Sequence, residues 1–313
     1  MRRLAFIVIL LSAASATPAQ HNSVRRPPIV GISHVRFHVS QLDAALRFYQ
    51  DALGLSSGKG LCENEHLKRL TCLWVGNGQF VQLDSLQQRR PSSLLEEVAF
   101  ATPDVEGMSK YLLSRGFTNE LLVKDDAAHI VYFSVLDPEG NRIVFEQPPK
   151  GKSAESDHQV SGALIHAGFV VRDRSAEEHF YKDILGFRPY WHGGMKDDQT
   201  DWVSLQVPDG NDWVEFMVNV SPNSDHHTLG VMNHIALGVP DIHAAEKQLR
   251  ANGWTGTEEP KIGRDGKWQL NLYDPDDTRV EFMEFKPVQK PCCSEFTAQH
   301  PGPQPPSKKP TQP

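Results

Sequence analysis

The sequence predicts an α+β protein made of four βαβββ units, which pair into two domains that are each an open mixed sheet curled into a cup. The main observation is a tandem duplication. Residues 47–55 (RFYQDALGL) return 132 positions later as residues 179–187 (HFYKDILGF), and residues 102–117 return 137 positions later as residues 239–254. A chain of 313 residues is long enough for two domains that each bury a core.

Each copy divides again into two similar units, which is the second observation. A unit opens with a short strand of alternating polarity, as in residues 164–171 and 234–239. A helix follows, with apolar positions such as Ala45 and Tyr49 four residues apart, and it ends at a Gly in LGL, RGF, LGF or NGW that suits a left-handed C-cap. Three more strand-like runs complete the unit.

The repeats also predict the domain boundaries. A polar stretch separates the two copies, and a segment rich in Pro, Gln and Lys that should be disordered ends the chain. The predicted segments are a signal peptide (1–20), a first domain with a degenerate metal site (29–149), a linker (150–160), a metal-binding second domain (161–287) and a disordered tail (288–313).

The start of the chain is typical of a secretory signal. Arg2 and Arg3 form a basic region, residues 4–11 form a short apolar run, and Ala14-Ser15-Ala16 offers a cleavage site. The apolar run is too short to cross a bilayer as a helix. We therefore expect an exported protein, periplasmic or secreted, with no stable insertion in a membrane after cleavage.

The composition is that of an ordinary soluble protein, with 39% hydrophobic and 23% charged residues. The formal net charge of -7, without a basic stripe, argues against nucleic acid as a partner and leaves a small molecule. Of the four cysteines, Cys62 and Cys72 could pair in an oxidising compartment, whereas the adjacent Cys292 and Cys293 are expected to be mobile in the tail.

Four side chains of the second copy are candidates for one metal site. In residues 164–171 the apolar side chains alternate, and His166 lies on the opposite face of the strand. The same alternation sets Glu215, His234 and Glu281 opposite the apolar face of their strands. All four are therefore expected on the concave side of the sheet, and small residues beside both histidines leave room for ligands.

The donor types and their spacing favour a divalent ion. His166 and Glu215 are 49 residues apart, and His234 and Glu281 are 47 residues apart, so each unit contributes one imidazole and one carboxylate. Two nitrogens and two hard oxygens suit a first-row ion with positions left for water or substrate. We expect Ni, Co or Zn, or Fe or Mn if the chemistry involves oxygen.

The unit order, the FYxDxLGF sequence and the His/Glu/His/Glu placement resemble the vicinal oxygen chelate superfamily. This group includes glyoxalase I, fosfomycin-resistance proteins, methylmalonyl-CoA epimerase, bleomycin-binding proteins and extradiol dioxygenases. The resemblance implies paired βαβββ units around a cup, and His166, Glu215, His234 and Glu281 match the four ligands of glyoxalase I. It also implies that Glu281 is the catalytic base, with Glu215 as the alternative.

The first copy departs from the pattern. His34 remains, but Gln82 and Val144 stand at the two carboxylate positions and Glu97 stands at the second histidine position. Because valine cannot coordinate, we expect no tight transition-metal site there. Arg36 shares the same face with His38 and Asp84 and could bind a ligand or these neighbours. The domain is expected to serve as a scaffold or docking unit, with substrate binding as the alternative.

Three functions remain open on the sequence. A metal-dependent lyase or isomerase would remove a proton next to a carbonyl of a small substrate. An extradiol ring-cleaving dioxygenase would need Fe(II) or Mn(II), and Tyr273 suits it, but residues 266–269 (GKWQ) lack the histidine of that group's signature. A non-catalytic module would bind a small molecule among tryptophans. These are Trp191, Trp202, Trp213 and Trp268.

Overall fold

The structure is a computed structural model that describes residues 24–57, 70–76, 78–85, 93–120, 122–125, 130–147 and 156–303. Its first domain follows the predicted order of strand, helix and three strands, twice. The elements of the first unit are β1 (Gly31–Val39), α1 (Leu42–Leu46), a π-helical continuation (Arg47–Ala52), β2 (Ser56–Ser57), β3 (Leu70–Gly76) and β4 (Gln79–Ser85). Those of the second are β5 (Leu95–Ala101), α2 (Val105–Ser114), β6 (Leu122–Asp125), β7 (Ile130–Leu136) and β8 (Arg142–Glu146).

The second domain repeats this order and adds one short helix between its units. The third unit comprises β9 (Leu164–Val170), α3 (Arg174–Glu178), a π-helical continuation (His179–Ile184), β10 (Arg188–Gly193), β11 (Trp202–Gln206) and β12 (Trp213–Met217). After α4 (His226–Met232), the fourth unit comprises β13 (His234–Val239), α5 (Ile242–Ala251), β14 (Lys261–Ile262), β15 (Trp268–Tyr273) and β16 (Arg279–Glu284). The prediction of four βαβββ units is confirmed.

Each domain is one eight-stranded mixed sheet. The strand orders are β2-β3-β4-β1-β5-β8-β7-β6 and β10-β11-β12-β9-β13-β16-β15-β14. The opening strands of the two units pair antiparallel at the centre, β1 with β5 and β9 with β13, and each also pairs parallel with the last strand of its own unit. The four central strands of the second domain, β12, β9, β13 and β16, are the four that carry the predicted ligands.

Local signals account for the helix ends. Asp104, Asp173 and Asp241 each accept a backbone N–H of the first helical turn with their side chain, as N-caps do. The four glycines that close the helices all have positive φ, from 75° to 96°. A left-handed backbone favours glycine, so the prediction of left-handed C-caps is confirmed. These glycines are Gly54, Gly116, Gly186 and Gly253.

One apolar core connects the two domains, and the helices contribute to it from both sides. Two hydrogen bonds cross it at equivalent positions of the repeat. Tyr49 of the first domain donates to Asp274 at 3.1 Å, and Tyr181 of the second donates to Asp137 at 3.4 Å. Burial raises the pKa of both aspartates to about 6. Each domain supplies one hydroxyl and one carboxylate. The two domains of the chain therefore make the same hydrogen bond to each other twice, with the roles exchanged.

Part of the segment expected to be disordered is folded against the second domain. The backbone N–H of Val288 donates to the Gly266 carbonyl at 2.8 Å, and that of Thr297 donates to the Tyr190 carbonyl at 3.0 Å. The ring of Phe296 packs on Tyr190 with centroids 4.9 Å apart. The composition of the tail did not reveal this because its partners are aromatic side chains far away in the sequence.

Several sequence expectations lie outside the described residues: the signal peptide (1–20), Cys62 with its pairing, the first part of the linker and the last ten residues of the tail. Cys72 is disulfide-bonded. Cys292 and Cys293, expected to be mobile in the tail, form a disulfide with each other, and Cys292 is half-buried. Within the described residues, no helix is long and apolar enough to cross a membrane.

Glu177 of α3 makes the interface between the domains sensitive to pH. Its carboxylate accepts the backbone N–H of Glu139 at 2.8 Å, and burial together with the charge of Asp137 raises the pKa of Glu177 to about 8. Since this pKa lies above that of the unfolded chain, near 4.5, the buried carboxylate destabilises the fold increasingly as the pH rises from 4.5 towards 8. Glu177→Gln should therefore raise the free energy of unfolding at pH 8 by about 2 kcal/mol and change it little at pH 4.5.

Thermal unfolding of both proteins at several pH values measures this difference. Glu178→Gln is the matched control, because Glu178 accepts hydrogen bonds from Arg174 and Lys182, which lower its pKa although burial opposes them. That variant should gain nothing at pH 8. Equal stabilisation of Glu177→Gln at pH 4.5 and pH 8 would contradict the assigned titration.

Candidate metal centre

Four neighbouring strands bring the predicted ligands to one point on the concave face of the second sheet. His166 lies on β9, Glu215 on β12, His234 on β13 and Glu281 on β16. Both histidines are fully buried, and Glu281 is 3% exposed. The alternation of side chains along each strand predicts this common face, because every second residue points away from the helices.

The ligand atoms are close enough to share one ion. His166 Nε2 and His234 Nε2 lie 3.0 Å apart, and the Glu281 carboxylate lies 3.7 and 3.9 Å from them. Bonds of 2.0–2.2 Å to one ion place neighbouring ligands ~3 Å apart. Among the described residues, His166, His234 and Glu281 form a set in which all ligand atoms lie within 4.8 Å of one another. Glu215 lies outside that set and reaches His234 Nε2 at 3.6 Å.

The protonation of the histidines suits a metal. Burial lowers the pKa of His166 and of His234 well below 6.5, with the charge of Arg279 acting in the same direction, so both rings are neutral. His234 Nδ1 lies 2.9 Å from the Met232 carbonyl oxygen, which can only accept a hydrogen bond. Nδ1 therefore carries the proton, and Nε2 presents its lone pair to the cluster, as a backbone carbonyl arranges for many metal-binding histidines.

A guanidinium group reaches the position where a cation would bind. Arg279 Nη2 lies 2.7 Å from His234 Nε2, so it donates to the lone pair that a metal ion would take. The Nε atom of Arg279 is buried without a hydrogen-bond partner among the described residues. The cluster thus attracts a positive charge, as expected where the lone pairs of two histidine nitrogens and a carboxylate meet.

Gly168 makes room for this arrangement. In the sheet it lies opposite Glu215 on one side and His234 on the other. A Cβ atom at residue 168 would lie 2.0 Å from Cε1 of His234, far inside van der Waals contact. Ala236 takes the corresponding place opposite His166 and Glu281. The small residues beside the histidines are therefore a steric condition for the site.

Both carboxylates of the centre are hard to ionise without a cation. Burial raises the pKa of Glu281 to about 7, and burial together with the charge of Glu281 raises that of Glu215 to about 8. Ser204 is the one hydrogen-bond donor to Glu215 among the described residues, at 3.4 Å. Two buried carboxyl groups and two neutral imidazoles together offer four ligands to a divalent ion. Such an ion would neutralise the charge of the two carboxylates and so favour their ionised form.

The centre opens into a cavity of about 620 Å³, a volume typical of small-molecule sites. Glu215 and Glu281 lie in its wall together with Arg279 and Lys267. The other wall is aromatic and includes side chains from β10, β11, β12 and the tail, namely Tyr190, Trp191, Trp202, Trp213 and Phe296.

The equivalent point of the first domain carries its own cations. Arg36 stands where the second domain has Gly168; it lies 2.7 Å from Glu97 and donates to Gln82 at 2.8 Å. His34 contacts Glu97 at 2.8 Å and Glu146 at 2.9 Å. Burial alone would lower the pKa of His34, but the two carboxylates raise it to about 9. An imidazolium and a guanidinium therefore replace the ion, and Val144 is a buried apolar residue.

Two further groups have the composition of metal sites. In the first domain, His38 lies 3.8 Å from Asp84 and 3.5 Å from Glu96. In the second, Asp197 lies near the Cys292–Cys293 disulfide, whose sulfurs are not thiolates. Each of these two groups contains exposed or half-buried residues, whereas the histidines of the main centre are fully buried.

Sequence reasoning identified the four residues that meet at this centre but missed Arg279 and Lys267. Arg279 lies two residues before Glu281 on the same strand, so its alternation with that ligand is a signal that could have been used. No such signal exists for Lys267, since a lysine in a run such as GKWQ is usually solvated. The tryptophans Trp191, Trp202 and Trp213 line the cavity as expected, whereas Trp268 packs against the apolar core.

Comparisons with known proteins agree with this fold. A sequence model described as Glyoxalase/Bleomycin resistance protein/Dioxygenase superfamily matches residues 31–145 and 163–282. A lactoylglutathione lyase of Haemophilus influenzae is 29% identical over 125 residues, which cover 39% of this chain and 93% of that protein.

Solved structures of similar shape include ring-cleaving dioxygenases. A variant of homoprotocatechuate 2,3-dioxygenase from Brevibacterium fuscum matches with a TM-score of 0.63 and 20% identity over 88% of this chain and 74% of that one. The 2,3-dioxygenase LapB of Pseudomonas sp. KL28 matches with a TM-score of 0.61 and 14% identity over 89% and 96%. At these identities the likeness concerns the fold alone.

Gly168→Ala tests the steric condition of the centre. The added methyl group would force the ring of His234 out of place, so we expect at least 10-fold weaker binding of Zn or Ni, with the fold retained. Elemental mass spectrometry after dialysis against each ion measures the bound metal, and wild-type protein should hold about one ion per chain.

Gly162→Ala is the matched control, because a Cβ atom at residue 162 meets no atom closer than the Val75 carbonyl oxygen at 4.0 Å. This variant should bind metal as the wild type does. Normal metal content in Gly168→Ala would show that His234 is not a ligand in the observed position. Two ions per chain in the wild type would direct attention to His38 and its partners.

Proposed function

Since this chain belongs to the Glyoxalase/Bleomycin resistance protein/Dioxygenase superfamily, we propose that it is a metal-dependent lyase or isomerase that acts on a small carbonyl-containing substrate. The observation that carries the proposal is the meeting of two neutral imidazoles and two buried carboxylates at the inner end of one cavity. Only the second domain has this combination among the described residues.

His166, Glu215, His234 and Glu281 are the proposed ligands of one divalent ion, with Ni, Co or Zn as the expected metals. When bound, such an ion would polarise a substrate carbonyl and stabilise negative charge on its oxygen. The centre needs an ion with open positions, and the cavity beside Glu215 and Glu281 provides the space for a substrate oxygen.

Glu281 is the proposed catalytic base. Its carboxylate lies inside the cluster, 3.7 Å from His166 Nε2, and also borders the cavity, so it can reach a proton on a carbon next to a held carbonyl. Glu215 borders the same cavity and is the alternative base, because it lies outside the tightest ligand set.

Solvent exchange of a substrate proton tests the reaction. Metal-loaded protein in D₂O should incorporate deuterium next to the carbonyl of at least one member of a panel of small α-hydroxy ketones and aldehydes, followed by proton NMR. Glu281→Gln should lower the exchange rate per bound metal by at least 100-fold, the usual effect of losing a general base. Glu215→Gln should lower it by less than 10-fold.

Dividing the exchange rate by the amount of bound metal separates the loss of a base from the loss of a metal ligand. Elemental mass spectrometry measures the bound metal. A larger effect of Glu215→Gln than of Glu281→Gln would exchange the two assignments. Fully loaded protein that catalyses no exchange with any member of the panel would argue against lyase or isomerase activity.

A ring-cleaving dioxygenase is the second candidate, favoured by one observation. The tightest set contains two histidines and one carboxylate, the arrangement that typically binds non-haem Fe(II) in oxygenases. Here the positions beside the centre hold Arg279 and Lys267 rather than a histidine. Protein that binds Fe or Mn and consumes oxygen in the presence of catechols would establish this function instead.

We also propose that the protein is exported and works in an oxidising compartment. The proposal rests on the secretory character of residues 1–20, on the Cys292–Cys293 disulfide and on the bonded state of Cys72. Protein isolated from its native source without reductant should show no thiol that alkylates, as judged by mass. Alkylation of all four cysteines would place it in a reducing compartment.

A further inference from the structure

Lys267 is a fully buried cation in the wall of the cavity. Three aromatic rings surround its ammonium group: Nζ lies 4.5 Å from the centre of Trp213, 5.0 Å from Phe296 and 5.4 Å from Tyr190. Such faces attract a cation, but they do not accept its hydrogen bonds as an oxygen does. Phe296 comes from the tail, so the folded tail completes this enclosure.

The hydrogen bonds of Lys267 are few and long. Nζ donates to the Tyr190 hydroxyl at 3.4 Å and approaches the Met283 sulfur at 3.8 Å. No carboxylate of the described residues is in salt-bridge contact with it. The Tyr190 hydroxyl in turn lies 2.7 Å from Nδ1 of His300. Burial lowers the pKa of Lys267 to about 8, although Asp265 and the two carboxylates of the metal centre oppose this.

An ammonium group that loses its water without gaining an anion is unfavourable, so a partly unsatisfied buried lysine beside a cavity indicates a ligand. The charge of the cavity agrees with this. Five basic side chains line it against four carboxylates, and two of those carboxylates belong to the proposed metal centre. The basic side chains are Lys261, Arg264, Lys267, Arg279 and Lys290.

We propose that Lys267 binds the anionic group of a small aromatic substrate. The ring of this substrate lies against the aromatic wall formed by residues such as Trp191 and Trp213, and its carbonyl end reaches the metal centre. The assignment rests on the proposed function, because it takes the ligand of the cavity to be the substrate of that centre. A cavity of about 620 Å³ accommodates a ring, a short chain and both polar ends.

A pair of ligands of nearly equal shape isolates the charge. Benzenesulfonate is an aromatic anion and a poor metal ligand, and methyl phenyl sulfone is its neutral counterpart. With metal-loaded wild-type protein, tryptophan fluorescence or calorimetry should give at least 10-fold tighter binding of the sulfonate. Methanesulfonate, which lacks the ring, should bind at least 10-fold more weakly than benzenesulfonate.

Lys267→Met should abolish the preference for the sulfonate over the sulfone while leaving the metal content at the wild-type level. Methionine has a similar length and packs among the same rings. Lys267→Gln keeps a hydrogen-bond donor for Tyr190 but removes the charge, so it should also abolish the preference. It replaces the methionine variant if that variant does not fold. Lys286→Met is the matched control: its side chain is exposed and does not line the cavity, so the preference should change less than 2-fold.

Equal binding of the sulfonate and the sulfone by the wild type would overturn the proposal, and so would an undiminished preference in a folded Lys267 variant. These outcomes are separable from failure of the proposed function, because binding is measured without turnover. If the preference for the sulfonate depends on Lys267 but the protein exchanges no substrate proton, the anion site is supported and the proposed lyase or isomerase activity is wrong.

Discussion

A buried positive charge at the centre of each cup is the constraint on which both sites depend. Strand alternation sends polar side chains from four neighbouring strands to one point, and carboxylates buried there need a cation. The first domain supplies that cation from its own sequence, as Arg36 and the imidazolium of His34. The second domain has Gly168 in place of Arg36, and its imidazoles are neutral, so its carboxylates need a cation from solution. The guanidinium of Arg279, which donates to His234 Nε2, shows that this position attracts positive charge.

The two faces of each sheet have separate tasks. The convex faces and the helices form one apolar core across both domains, joined by the reciprocal pairs Tyr49–Asp274 and Tyr181–Asp137. Duplication produces such a symmetric interface directly, because any contact that forms once forms again with the roles exchanged. Since the concave faces take no part in that interface, substitutions there leave the packing of the domains intact. The first cup could therefore change from metal ligands to an internal ion network without loss of the fold.

The fold and the placement of the four candidate ligands on one face of the sheet were predictable because both depend on periodicity. The repeat of FYxDxLGx at residues 47–55 and 179–187 identifies the units, and period-two alternation puts His166 and Glu281 on the concave face. The roles of Lys267 and the tail were not predictable, because they depend on contacts between residues far apart in sequence. The raised pKa of Glu177 was not predictable for the same reason, because it results from burial and from the charges of Asp137 and Glu139 in the other domain as well as that of the nearby Asp173.

The position of each group in the sheet separates chemistry from recognition in the second cup. The proposed ligands lie on the four central strands, whose register is fixed by pairing on both sides. Apart from Trp213 on β12, the aromatic wall and Lys267 lie on or next to the outer strands β10, β11 and β15, and the tail runs from Gly266 across to Tyr190. Strand pairing restrains outer strands less, so the tail is what holds this wall in place and dehydrates Lys267. A change in the tail would therefore alter which molecule binds while leaving the metal centre intact, which is how one fold comes to serve several reactions.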